Sequence, residues 1–240
     1  MAGVAERALT QISGFGADSI LFGRGLQLRH RYRDFTMVGY KTYAANIGLL
    51  KYVQDVPGCV VECGVWRGGM IAGISEVLGP KRRYYLFDSF EGMPPANALD
   101  GASAIAYQQD KDSPTYYDNC RAEVDFARRA MSIAKVPNVE YIPGWFADTL
   151  PDFIAPGGIA LLRLDGDWYE STMQCLTTLY PQVVPGGLII IDDYYAWEGC
   201  SKAVHDYLSQ TKSSERLRSS NGVCYAIKSE PDRHLLSNAR

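Results

Sequence analysis

Two segments of the chain end very apolar runs in clustered aspartate. They are LRLDGDWYE (162–170) and LIIIDDYY (188–195), and they supply Asp165, Asp167, Asp192 and Asp193. Carboxylates that converge repel one another unless a cation neutralises them. An all-oxygen donor set selects a hard ion, with Mg²⁺ the default. Asp165, Asp192 and Asp193 are the expected metal ligands, the alternative being that one caps the following helix and another is solvated. Asp167 follows a glycine, and it serves equally well as the cap of a helix starting near Tyr169.

A third segment, VVECGVWRGG (60–69), runs from a β-rich stretch into glycine. Gly64 permits a tight turn, and Gly68 and Gly69 let the backbone approach a ligand closely. Alone, this pattern fits a nucleotide-like ligand or a structural turn. Asp88 follows Gly64 by 24 residues, near the offset of about 20 at which an acid accepts ribose hydroxyls in nucleoside-binding sheets. Its alternative role is to cap a turn. There is no GKS or GKT, so a P-loop is excluded. Glycine contacts and a ribose acid with little phosphate machinery suit S-adenosylmethionine better than NAD or ATP.

These residues need elements to position them. Strands are expected at 59–63, 83–88, 138–144, 158–165 and 186–192, and helices at 40–54, 69–78, 116–134, 145–154, 169–180 and 200–209. RLRSS and NGVCYAIK flank Asn221-Gly222 and predict a terminal hairpin. Alternating strands and helices predict a mostly parallel sheet covered on both faces. Ligands in such sheets bind beyond the carboxyl ends of the strands. Glu62, Asp88, Asp165, Asp192 and Asp193 all fall at or near those ends. Residues 89–115 read as a long loop and the first 35 residues as the least regular part.

The 240 residues carry a net charge of −3. Bulk nucleic-acid binding is excluded, because it requires a dominant positive field. The six cysteines form no CxxC pair, which argues against a zinc framework and for reduced thiols in a cytoplasmic protein. No apolar run reaches membrane-spanning length, and the N-terminus lacks a signal-peptide core.

The chain resembles the macrocin O-methyltransferase family, which includes mycinamicin and novobiocin sugar O-methyltransferases. The resemblance is carried by FTMVGY (35–40), VECGVWRGG (61–69), FDSFEGMP (87–94), PGWFADTLP (143–151), LRLDGDWYESTM (162–173), PGGLIIIDDY (185–194) and AVHDY (203–207). It implies an α/β, Rossmann-like class I methyltransferase fold. The sheet would be seven-stranded and mostly parallel, with a C-terminal antiparallel hairpin and helices on both faces. It also implies S-adenosyl-L-methionine as donor, Mg²⁺ dependence, and a sugar hydroxyl of a glycosylated natural product as acceptor in antibiotic biosynthesis. Thr36 and Met37, Glu62 to Trp66 (with Cys63, Gly64 and Val65), Asp88, Ser89, Phe90, Gly92, Trp145, Asp148 and Asp165 would hold the donor.

Asp165 is the expected base as well as a metal ligand, with His205 of AVHDY competing for the base role. Trp168 and Tyr169 would wall the acceptor pocket or lie in the core. The family often has Ser after TMV; Gly39 stands there in this chain. Residues 1–39 are expected to form an arm, serving as a lid or an oligomer contact, and 40–240 the methyltransferase domain. Four arginines and the tyrosines of the first helix would pair subunits in a homo-oligomer. Other readings are a catechol-type O-methyltransferase, a phosphohydrolase, or a non-catalytic donor-binding protein. The phosphohydrolase reading lacks the lysine it needs between residues 165 and 193.

Overall fold

A computed structural model describes residues 19–230. Seven strands form one sheet: β1 Cys59–Cys63, β2 Tyr84–Asp88, β3 Val139–Pro143, β4 Ile159–Leu164, β5 Val183–Ile191, β6 Arg218–Ser220 and β7 Val223–Ile227. Their order is β3-β2-β1-β4-β5-β7-β6. The first five pair in parallel, and β7 runs antiparallel between β5 and β6. Asn221 and Gly222 both have positive φ, the conformation that a two-residue hairpin of the primed type requires.

The helices are α1 (19–31), α2 Tyr40–Leu49, α3 Gly69–Leu78, α4 Ala102–Gln109, α5 Val124–Ala134, α6 Phe146–Thr149, α7 Tyr169–Leu179 and α8 Glu198–Gln210. Strand side chains alternate between two cores, as the period of two dictates. Val60, Leu161, Leu188 and Ile190 face the core that includes α2, α3 and α5. Val61, Leu162, Ile189 and Ile191 face the core that includes α7 and α8. Every residue of β1 and β4 is buried, which fits parallel strands covered on both faces.

Several elements differ from expectation for local reasons. The segment 19–31 is helical, and Leu28 and the adjoining Tyr32 are buried in the first core. Tyr32 donates to Glu76 of α3 at 2.5 Å. Residues 1–18 of the expected arm lie outside the described residues. The expected long loop contains α4. The helix expected over 116–134 begins only at Val124, because Tyr117, Asp118, Asn119 and Cys120 all have left-handed φ between 47° and 60°. All six cysteines are free thiols. Among the described residues, no helix is long and apolar enough to cross a membrane.

The order of the parallel strands reverses between β1 and β4, so the crevice for a ligand opens beyond their carboxyl ends. There the chain after β1 passes against the end of β4. A Cβ on Gly64, whose φ is +85°, would lie 1.8 Å from the carbonyl oxygen of Asp165. Only a residue without a side chain permits this approach. Gly64→Ala is expected to lower stability by about 3 kcal/mol or more, measured as the denaturant midpoint shift. A loss below about 1 kcal/mol would show that the two backbones can separate freely.

Candidate active site

A cavity of about 410 Å³ opens at this crevice, within the range of small-molecule sites. Gly64 and Trp66 after β1, Asp88, Ser89 and Gly92 after β2, and Trp145 and Phe146 after β3 line it. Asp165 and Asp167 after β4, and Asp192 and Asp193 after β5, complete the acidic side. Each strand therefore delivers its functional residue at the carboxyl end.

Asp165, Asp192 and Asp193 each bring one carboxylate oxygen within 4.8 Å of the other two. Behind them lies Arg163, fully buried on β4. Its Nη1 donates to Glu62 at 2.9 Å and to Asp165 Oδ2 at 2.7 Å. Its Nη2 lies 2.8 Å from Asp192 Oδ1, an ion pair outside hydrogen-bond alignment. Its Nε donates to Asn46 of α2 at 3.2 Å. The Asn46 amide in turn donates to Thr42 and, at 3.4 Å, to Asp192 Oδ1. Asp193 Oδ2 accepts the backbone N–H of Asp167 at 3.2 Å.

One guanidinium does not neutralise this cluster. Burial, with repulsion from Asp192, pushes Asp165 up to about 6 despite Arg163 beside it. Burial and the charge of Asp165 push Asp167 up to about 8, although Trp197 Nε1 donates to its Oδ1 at 2.8 Å. Burial and the charges of Asp167 and Asp165 hold Asp193 well above the carboxylate range. Burial raises Glu62 to about 8, against the pull of Arg163. The arrangement is a partly buried acidic wall with a deficit of positive charge, suited to a divalent cation.

The opposite part of the cavity is shaped by Asp88. Its Oδ2 accepts the N–H groups of Val65 and Trp66 at 2.6 and 2.7 Å, and its Oδ1 that of Phe90 at 2.7 Å. A carboxylate has about four acceptor positions, so one remains for a ligand hydroxyl. Burial raises the Asp88 pKa, and the three N–H groups oppose that shift.

The family described as Macrocin-O-methyltransferase (TylF) matches residues 31–228. A tetracenomycin-C 4'-O-methyltransferase of Streptomyces olivaceus, which acts on the 8-demethyl-8-(2,3-dimethoxy-alpha-L-rhamnosyl) compound, is 37% identical over 203 residues, covering 78% of this chain and 73% of that protein. Demethyldecarbamoylnovobiocin O-methyltransferase of Streptomyces niveus is 35% identical over 210 residues, covering 80% and 76%. The solved structure of the O-methyltransferase NovP superimposes with a TM-score of 0.66 at 31% identity, covering 82% of this chain and 83% of that one. The chain belongs to the macrocin O-methyltransferase family. It is an S-adenosylmethionine-dependent O-methyltransferase of the natural-product class.

Of the residues expected to hold the donor of this methyltransferase, Met37, Gly64, Trp66, Asp88, Ser89, Gly92, Trp145 and Asp165 line the cavity. Thr36, Glu62, Cys63, Val65, Phe90 and Asp148 do not. Glu62 is the buried partner of Arg163. Cys63 and Val65 belong to the two cores. Thr36 is buried and accepts the N–H of Val38 at 3.1 Å. Phe90 packs against the first core, and Asp148 is exposed on α6.

His205 is exposed on α8, outside the cavity, with Nε2 2.8 Å from the Tyr194 hydroxyl. Trp168 is buried, and its indole N–H donates to Pro94 at 2.9 Å. Tyr169 bonds Asp206 at 3.0 Å. Neither lines the cavity. Sequence reasoning missed Arg163 and Asn46. The signal for Arg163 was a charged residue inside an otherwise apolar strand.

Asp167 has φ +56°, a conformation asparagine also adopts readily, and Asn can keep the Trp197 hydrogen bond. Because the folded pKa lies above the ordinary value of 3.8, ionising Asp167 opposes folding. Wild-type stability is lost as pH rises from about 4 to about 8. In chelator, Asp167→Asn is expected to match wild type near pH 4 and to exceed it by on the order of 3 kcal/mol at pH 8. Thermal melts across that range check it; a pH-independent difference would contradict the charge origin.

Proposed function

We propose that the enzyme transfers a methyl group from S-adenosylmethionine to a sugar hydroxyl of a glycosylated metabolite, with Mg²⁺ bound by Asp165, Asp192 and Asp193. The observation that carries this reading is the convergence of three aspartates on the wall of the cavity that also holds Gly64 and Asp88. The all-carboxylate donor set fits a hard divalent ion. Asp88, with one acceptor position left, fits a ribose hydroxyl. The sugar acceptor is supported by relatives whose names specify a rhamnosyl tetracenomycin and mycinamicin III at its 3'' oxygen.

When bound, S-adenosylmethionine supplies an electrophilic methyl group and Mg²⁺ lowers the pKa of a hydroxyl it meets. The chain must align that hydroxyl and remove its proton. Alignment within the cavity supplies up to about 7–11 kcal/mol of the barrier. Asp165 was expected to act as both ligand and base, but Arg163 holds its Oδ2. Asp167 is better placed to take the proton. Trp197 fixes its Oδ1 and leaves Oδ2 unengaged by the protein, and burial keeps the carboxyl proton-seeking near neutral pH.

Two variants test the assignment. Asp165→Asn is expected to abolish turnover while donor affinity by calorimetry stays near wild type. Asp167→Asn is expected to retain both donor and metal binding and to lose about 10²–10⁴-fold in kcat. EDTA should stop the reaction and Mg²⁺ restore it. The assay is mass-spectrometric detection of methylated product from a panel of glycosides and catechols. Full activity in excess EDTA would falsify the metal reading, and a catechol-only product profile would remove the sugar acceptor.

A further inference from the structure

The three aspartates do not offer all six of their oxygens. Asp165 Oδ2 is held by Arg163 Nη1 at 2.7 Å. Asp192 Oδ1 is ion-paired with Arg163 Nη2 at 2.8 Å, outside hydrogen-bond alignment, and accepts the Asn46 amide at 3.4 Å. Asp193 Oδ2 is held by the Asp167 N–H at 3.2 Å. Each carboxylate thus has one oxygen beside a protein N–H group and one that accepts none among the described residues. On Asp165 and Asp192 the engaged oxygen faces the positive guanidinium, which a dication avoids.

The donor that commits two of them is itself immobile. Arg163 and Glu62 are at most 1% exposed. The guanidinium is further anchored through Nε to Asn46 at 3.2 Å. A planar fork fixed at three points cannot follow a carboxylate that rotates, whereas a lysine ammonium on a flexible stem could.

Mg²⁺ and Ca²⁺ carry the same charge, so the charge deficit of the site does not distinguish them. Coordination does. Ca²⁺ takes six to eight oxygens and commonly uses both oxygens of a carboxylate, while Mg²⁺ demands an octahedron and takes single carboxylate oxygens plus waters or substrate. We propose that Arg163 is a positioning residue that limits Asp165 and Asp192 to one oxygen each, so that the site accepts an octahedral ion of Mg²⁺ size and discriminates against Ca²⁺. This rests on the divalent-cation reading above. It adds that ion size is set by a buried arginine that does not touch the ion.

Mn²⁺, which shares the octahedral oxygen preference, is a spectroscopic probe that needs no turnover. The full-length protein is titrated with Mn²⁺ by electron paramagnetic resonance, and the bound ion is then displaced with Mg²⁺ or with Ca²⁺. The wild type is expected to favour Mg²⁺ over Ca²⁺ by on the order of tenfold. Arg163→Lys keeps the charge but not the fork, and should bring the two ions to within about threefold of each other. Asn46→Ala removes the amide at Asp192 and should shift the ratio in the same direction by less.

Ca²⁺ displacing Mn²⁺ as well as Mg²⁺ does in the wild type overturns the proposal and leaves the metal site standing. So does an unchanged ratio in Arg163→Lys. If Arg163→Lys does not fold, the wild-type ratio and Asn46→Ala decide, and an unchanged ratio in the latter overturns it. Failure of the wild type to bind Mn²⁺ at all removes the metal reading and this one together.

Discussion

A single guanidinium holds the carboxyl ends of three strands in electrostatic tension. Glu62 on β1 and Arg163 on β4 are direct partners in the parallel register, so their side chains leave the sheet on the same face. Arg163 reaches from there to Asp165 at the end of its own strand and to Asp192 at the end of β5. Adjacent residues Leu162 and Leu164 point into the opposite core. The charged network therefore stands where apolar packing would otherwise continue beneath α2. Buried ion pairs of this kind rarely outperform apolar packing in stability, and removing one partner is far more damaging than never having had the pair. Its physical value here is geometric: it fixes the direction of two carboxylates that face the cavity.

Much of the fold was legible because strands buried on both faces have unmistakable composition. CVVEC, YYLFD, IALLRL and the run into Ile191 are short apolar stretches closed by an acid or a glycine, and they became β1, β2, β4 and β5 with shifts of a few residues at the ends. The hairpin was legible from Asn221-Gly222 because the turn chemistry is local. The failures are also local. α4 is rich in Ala and Gln and its only buried residue is Ala104, so no apolar stripe announced it. The false helical turns at 117–120 fail because four successive residues take left-handed φ, which no periodicity reveals.

At the site, acids at strand ends were legible and their partners were not. The convergence of Asp165, Asp192 and Asp193 follows from strand order, since β4 and β5 are neighbours and both end at the crevice. Glu62 looked like a ligand residue because it sits one position from the end of β1. Strand alternation instead sends it inward to Arg163. His205 sits in a matching motif, yet on its helix it faces outward, because Ala203, Val204 and Tyr207 occupy the buried side of α8. A pairing such as Glu62 with Arg163 spans 101 residues of sequence and becomes visible only when register is known.

The backbone around the cavity shows how such a site is kept in place. Trp66, Phe90 and Asp167 follow three different strands, and all three have positive φ. Such conformations cost a non-glycine residue on the order of 1–2 kcal/mol each and persist only where the surroundings over-determine them. Asp88 accepts the N–H of both Trp66 and Phe90, while the Trp197 indole fixes the side chain of Asp167. One carboxylate thus holds two strained turns together and still borders the cavity. Capping the turns and facing the cavity are therefore compatible in Asp88. The N–H groups that it caps offset the cost of burying its charge, and they hold it on the cavity wall. A loop set by hydrogen bonds to a carboxylate on the cavity wall cannot be displaced without moving that carboxylate.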